Sequence, residues 1–140
     1  MSLRVPYRKY PTKSGGFYYA AVLPVNIALP QKNSPRSKRF EAIIDSGATL
    51  CQFQASIGRA IGLNIEQGEP IETMGVAGPT KMFMHDISLY LPGGIVTVRA
   101  GFSDLLPTPG LLGMSGFFEH FKITFDPSAA RCELERIFEA

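Results

Sequence analysis

The sequence predicts a small, mostly antiparallel all-β protein with two short helices. Three observations lead there. Glycine (14) and proline (11) are abundant among 140 residues, and both serve turns better than helix interiors. The apolar segments are short, rich in aromatic and β-branched side chains, and bounded by turn residues, as strands are. Few segments sustain a helical period. The length suits one compact domain rather than two: a chain of this size buries roughly 70% of its unfolded surface and supports one core. A hydrophobic fraction of 45% and a charged fraction of 19% are ordinary globular values.

Residues 1–16 are basic, contain two prolines and end in Gly15-Gly16. They read as an N-terminal arm with little core of its own, with the folded domain over 17–140. Residues 17–29, FYYAAVLPVNIAL, form a strand or a strand pair bent at Pro24. Residues 31–38 are a polar, proline-bearing loop. Its cations, with Arg39, either bind an anion or sit in water at a hairpin tip, and the tip is the plainer reading. Residues 39–45 are the next strand. Residues 54–63 place Ile57, Ala60 and Ile61 at helical spacing. Residues 70–76 and 80–91 are strands separated by Ala77-Gly78-Pro79. Pro92-Gly93-Gly94 is a turn, 95–102 an alternating strand, and 103–110 a loop. Leu111-Leu112-Gly113 is a short apolar run. Residues 114–120 suggest one or two helical turns, 121–126 a strand, and 132–138 a strand or short helix. There is no internal repeat and no low-complexity tract.

The composition narrows the function. A net charge of +2 argues against a nucleic-acid partner. No stretch approaches the roughly 20 apolar residues of a transmembrane helix, and the polar N-terminus lacks the apolar segment of a signal peptide. These features leave the compartment open: a soluble domain, cytoplasmic or cut from something longer. Cys51 and Cys132 do not make a disulfide framework, and two buried free thiols are expected. His85, His120 and the cysteines lack metal-ligand spacing, so no metal is expected. Neither a Gly-x-Ser-x-Gly motif nor a glycine-rich phosphate loop is present, and no organic cofactor is implied.

The chemistry concentrates at Ala42-Ile43-Ile44-Asp45-Ser46-Gly47-Ala48-Thr49. A carboxylate ends an apolar strand and a tight turn follows, which suggests a carboxylate held at a working position. Asp-Ser-Gly alone is also good turn chemistry, so Asp45 as a plain cap is the competing reading. Asp86, Asp104 and Asp126 lack this context. Downstream come a glycine-bearing hairpin, Met74-Gly75-Val76-Ala77-Gly78-Pro79, and then Leu111-Leu112-Gly113 before the segment 115–120 and the strand FKITFD.

This order over residues 40–126 resembles the retropepsin-like aspartic proteases, single-domain enzymes of retroviral type. The family has Asp-Thr/Ser-Gly-Ala at a strand end, a flap hairpin, and two hydrophobic residues with a glycine before a short helix. The resemblance implies a small closed or partly open β-barrel working as a homodimer. It assigns catalysis to Asp45 and the active-site loop to Ser46, Gly47, Ala48 and Thr49. It assigns the flap to Met74, Gly75, Val76, Ala77 and Gly78, and the hydrophobic-hydrophobic-glycine motif to Leu111, Leu112 and Gly113. By the same resemblance, Ser46 donates its hydroxyl to the partner's loop.

The physical reading runs alongside. Amide hydrolysis by this route needs two carboxylates around one water. The ionised one accepts the water's proton, and the protonated one polarises the carbonyl and later protonates the leaving nitrogen. Like charges about 3 Å apart cannot both ionise, so the pair holds one proton. The chain carries one Asp-Ser-Gly and therefore half a site, which a two-fold dimer completes. The expected substrate is an extended peptide beneath the flap, in apolar pockets lined by Met74, Val76 and the 103–110 loop. Two plainer readings remain open here: residues 74–79 as a simple connection, and the whole fold as an inactive dimerisation or peptide-binding module.

Overall fold

The computed structural model describes residues 2–75 and 78–137. The chain opens with strands β1 (Ser2–Pro6), β2 (Arg8–Pro11), β3 (Phe17–Ala20), β4 (Val22–Ala28) and β5 (Phe40–Ile44). Strand β6 (Cys51–Gln54) runs directly into the helix α1 (Ala55–Ala60), and a 3-10 turn follows at Ile65–Gln67. Next come β7 (Glu69–Gly75), the 14-residue β8 (Gly78–Leu91), β9 (Gly94–Ser103) and β10 (Gly110–Leu112). A 3-10 turn at Phe118–His120 leads to β11 (Phe121–Asp126), and another at Pro127–Ala129 leads to β12 (Arg131–Arg136).

The main sheet has the order β4-β5-β10-β6-β9-β8-β7, and β4 also pairs with β8. That extra pairing closes β4, β5, β10, β6, β9 and β8 into a barrel, with β7 paired along the first half of β8, Gly78–Met84, beyond the stretch that meets β4. Strand β4 joins the two edges by dividing its length. Residues 22–25 pair with β5 and residues 26–28 with β8. Pro24 is tolerated because that half of β4 has one ladder to satisfy. The break in 17–29 falls at Ala21, not at Pro24. Two pairs, β10 with β5 and β6 with β9, are parallel; the other strand pairings among the described residues are antiparallel, in keeping with the mostly antiparallel expectation.

Side chains alternate across these strands as a half-buried barrel demands. In β9, Val96, Val98, Ala100 and Phe102 are buried while Ile95, Thr97 and Arg99 are exposed. Leu23, Ile27, Phe53, Ile87, Leu89, Leu112 and Phe117 fill the interior. Each such side chain contributes about 1.5–3 kcal/mol by leaving water.

The basic arm is more structured than its composition suggests. Strand β1 pairs with β12, from Ser2 opposite Glu135 to Pro6 opposite Arg131, in a second sheet of order β1-β12-β11. Val5 is buried in the common core. Strands β2 and β3 form a separate ribbon across the expected boundary at residue 16, with Tyr10 opposite Tyr18. Of the one or two helical turns expected over 114–120, one forms, the 3-10 turn at Phe118–His120. The amides of Met114 and Ser115 bond the carbonyls of Ala48 and Thr49, which takes them out of a helical ladder, and only Phe118–His120 coils. Residues 131–136 are a strand because β12 fills the middle of its sheet. Among the described residues no helix is long and apolar enough to cross a membrane.

Cys51 and Cys132 are buried free thiols. Burial pushes the Cys51 thiol up to about 11, and Cys132 is raised for the same reason. Since the thiolate is the nucleophile, alkylation at pH 8 should modify neither cysteine in the native protein and both once denaturant is added. Mass spectrometry of the two samples checks this; rapid native labelling of Cys51 would contradict the packing.

Candidate active site

Strand β5 ends at Ile44, but its pairing continues one residue further. The Asp45 amide donates to the Leu112 carbonyl at 3.0 Å. The chain then turns: the Ala48 amide donates to the Asp45 carbonyl at 3.1 Å, and the Gly47 amide to Asp45 Oδ1 at 2.8 Å. The carboxylate is thus oriented by a main-chain donor of its own loop. Asp45 is half-buried, Ala48 is buried, and Ser46, Gly47 and Thr49 are exposed.

Strand β10 braces this loop from below. Leu111 pairs with Ile43 on one side and Gln52 on the other. Beyond it, the Met114 and Ser115 amides hold the Ala48 and Thr49 carbonyls, both at 2.9 Å. Gly113 sits at the crossing. A Cβ there would lie 2.3 Å from the Leu50 carbonyl oxygen and 2.8 Å from that of Ala48, so only glycine lets the two segments approach. Leu112 is fully buried, whereas Leu111 is half-buried and reaches the surface above.

That surface is a cleft of about 600 Å3. Its floor is Asp45, Gly47, Ala48, Thr49, Gln52 and Leu111. The β7–β8 hairpin supplies Thr73, Met74, Gly78 and Thr80 on one side, and Ser103, Leu105, Leu106 and Pro107 make the other. Met74 and Leu105, each 79% exposed, are the most exposed large apolar side chains among the described residues, and both line this cleft.

No protein-family model matches the chain, and no curated protein matches its sequence. Solved structures do match. A retropepsin-like aspartic protease from Rickettsia conorii superposes with a TM-score of 0.60, covering 96% of this chain and 90% of that one at 17% identity. EIAV protease in complex with the inhibitor HBY-793 superposes with a TM-score of 0.50, covering 67% of this chain and 81% of that one at 18% identity. The chain has the retropepsin-like fold.

Within that fold the segments singled out in the sequence meet. Asp45 and its loop, Met74 and Gly78 of the hairpin, and Leu111 border one cleft, with Leu112 and Gly113 beneath it. Gly75 ends β7 and pairs with Gly78; Val76 and Ala77 lie outside the described residues. Gly78 has φ +109° and open space around its Cα, so its backbone conformation, not crowding, favours glycine. Gln52 and Thr73 went unnoticed in the sequence. Thr73 is directly opposed to Thr80 in the β7–β8 register, and counting the hairpin back from Gly78 would have found it. Among the described residues no cluster of three or more His, Cys, Asp or Glu could hold a metal.

The 103–110 wall is tied at several points. Gln54 donates through Nε2 to the Leu106 carbonyl and through its amide to the Pro109 carbonyl, both at 3.1 Å. The Leu105 amide donates to Ser103 Oγ at 3.0 Å. Arg59 of α1 grips Asp104 with two bonds of 2.8 and 3.3 Å and reaches Glu66 at 2.9 Å. Bidentate pairing of this kind fixes orientation as well as charge.

Two outcomes follow from these contacts. Gly113→Ala forces a Cβ into carbonyl oxygens and should cost about 1–3 kcal/mol, read as a lowered urea midpoint; an unchanged midpoint would mean the crossing is loose. The hydrogen bond from Arg59 holds the Asp104 carboxyl below its ordinary value, so the clamp is complete at neutral pH. It persists as pH falls through the ordinary carboxylate range and is lost only below it. NMR shifts of the Leu105 amide should therefore stay constant down to pH about 4 in the native protein, and differ already at pH 7 in Asp104→Asn. A wild-type transition near pH 5 would show that Asp104 does not set the wall.

Proposed function

We propose that the chain is an aspartic endopeptidase that works as a homodimer, with Asp45 of each copy forming the catalytic pair. One observation supports this most directly: among the described residues Asp45 is the single acidic group lining the cleft, and its own loop holds it there. A cleft with one oriented carboxylate is half of an acid–base pair. With Ser46 exposed beside it, the loop has the surface needed to meet its copy across a two-fold axis. The R. conorii protein, described as a retropepsin-like aspartic protease, and the inhibitor held by EIAV protease fit the same reading.

In the dimer the two Asp45 carboxyls share one proton because both cannot ionise at contact distance. The charged member takes a proton from water as the oxygen attacks the peptide carbonyl. The protonated member hydrogen-bonds the carbonyl oxygen and then delivers its proton to the departing nitrogen. The Gly47 amide keeps each carboxylate in plane with its partner. Ser46 of each copy locks the two loops by bonding the opposite backbone, and Thr49 adds a hydroxyl at the edge. Leu111, Leu112 and Gly113 hold the loop from beneath. The hairpin with Met74, Gly75, Val76, Ala77 and Gly78 at its end lies over an extended peptide and excludes water.

Incubation with a mixed peptide library is the direct test. Wild-type protein should yield cleavage products, and Asp45→Asn should lower the rate by about 10²–10⁴-fold with the melting temperature retained. Mixing wild-type chains with excess Asp45→Asn chains should suppress activity beyond dilution, since mixed dimers carry one carboxyl. Near-normal turnover by Asp45→Asn, or full activity at concentrations where sedimentation finds only monomer, would overturn the proposal.

A further inference from the structure

Charge is divided unevenly along the chain. Residues 1–40 hold eight of the fourteen Lys and Arg and none of the twelve Asp and Glu. The net charge of +2 therefore hides a cationic N-terminal portion joined to an acidic remainder. Such a division points to an anionic partner for the cationic portion.

The fold gathers part of this charge beside exposed aromatic rings. Strands β2 and β3 form a two-stranded sheet of their own. In its register Arg8 lies opposite Ala20 and Tyr10 opposite Tyr18, while Lys9 lies opposite Tyr19 and Pro11 opposite Phe17. Alternation puts the first four residues on one face and the last four on the other. The first face is turned to the barrel. Arg8 Nε meets the Glu41 carboxylate at 2.8 Å, and the Tyr10 hydroxyl donates to it at 3.2 Å. The second face is turned to water: Phe17 and Tyr19 are 58% and 57% exposed, and Lys9 and Pro11 are exposed as well. The Lys9 ammonium stands 3.9 Å from the centre of the Phe17 ring. Lys13, in the turn between the two strands, is exposed. Beside the ribbon, Arg8, Lys9 and Arg39 line a groove of about 730 Å3. Among the described residues the one carboxylate lining that groove is Glu41, already held by Arg8 and Tyr10.

We infer that this outer face docks the protein on an anionic lipid bilayer. Phe17 and Tyr19 enter the headgroup boundary, and Lys9, Lys13 and Arg39 meet lipid phosphates. Amphipathic aromatic rings favour that boundary, and a lysine stem runs along apolar surface while its ammonium stays with the anions. Two other occupants fit less well. A second copy on a two-fold axis through this face would bring the same cations of both chains together. A single-stranded nucleic acid needs open ring faces for its bases. Lys9 covers one face of Phe17, and Tyr10 and Tyr18 stack on each other with ring centres 5.4 Å apart. Docking of this kind needs no membrane-spanning helix, and it is independent of whether the cleft cleaves peptides.

Vesicle sedimentation with the full chain tests this. Wild-type protein should pellet with vesicles of mixed phosphatidylcholine and phosphatidylglycerol, not with phosphatidylcholine alone, and less as salt is raised. Each Lys or Arg close to an anionic surface adds about fivefold to binding, so Lys9→Gln and Lys13→Gln should each lower it by about that factor. Phe17→Ser should lower binding about tenfold by withdrawing a ring from the lipid boundary, with the melting temperature retained because the ring is exposed. Lys122→Gln removes the same charge from exposed β11 and should bind as wild type does. An equal loss in Lys122→Gln would reduce the effect to net charge and overturn the docking face. So would binding that Phe17→Ser leaves unchanged, or no pelleting with the anionic vesicles. Retention of a single-stranded oligonucleotide through Lys9 and Phe17, or a dimer that Phe17→Ser dissociates, with no vesicle binding in either case, would give the face to another partner and overturn the inference.

Discussion

The contact on which the site depends is the crossing of two backbones at Gly113. Strand β10 is inserted between β5 and β6, the strands on either side of the Asp45 loop. Insertion satisfies amides and carbonyls on both edges of β10, and the residues beyond it take up the loop carbonyls of Ala48 and Thr49. A turn that would otherwise be bonded mainly to water gains fixed protein partners. Rigidity of this sort is what preorganised catalysis requires, since a carboxylate that must be reoriented at each turnover loses much of its advantage. The barrel closure through β4 serves the same end, because β5 is then held on both edges along the stretch leading to Asp45.

The two sides of the cleft are built on different physical terms. The wall is fastened by side chains: Gln54, Ser103 and the Arg59–Asp104 pair all act on a loop with no strand of its own. The hairpin side is a two-stranded extension, β7 on the far end of β8, beyond the barrel and free of a second ladder. Two-stranded ribbons are marginally stable alone. A wall pinned by side chains opposite a hairpin pinned by one ladder is the asymmetry that the proposed peptidase reading calls for.

Much of this was legible in the sequence. The strand before Asp45, the hairpin around Gly78 and the Leu-Leu-Gly run were readable because apolar runs bounded by Gly and Pro leave little choice of structure. The fold followed from their order. Other parts depended on partners distant in sequence. Residues 2–6 look like a polar arm until β12 is there to pair with them, and Val5 alone gives no sign of burial. The helical turns expected over 114–120 are confined to 118–120, because Met114 and Ser115 bond residues more than sixty positions earlier. Thr73 became meaningful only once the hairpin register was known.

The pairing of β1 with β12 also governs the order of events during synthesis. Strand β1 leaves the ribosome well before its partner β12, so it waits while the intervening residues are made, on the order of ten seconds at usual elongation rates. Closing so long a loop adds little to the equilibrium cost, which grows only logarithmically with length, but sequence-distant pairings form slowly. An unpaired strand waiting that long is exposed to pairing with other chains. Strand β1 has the residues that discourage this: Arg4 in its middle and Pro6 at its end interrupt the apolar run Leu3 and Val5 would otherwise offer to a neighbour.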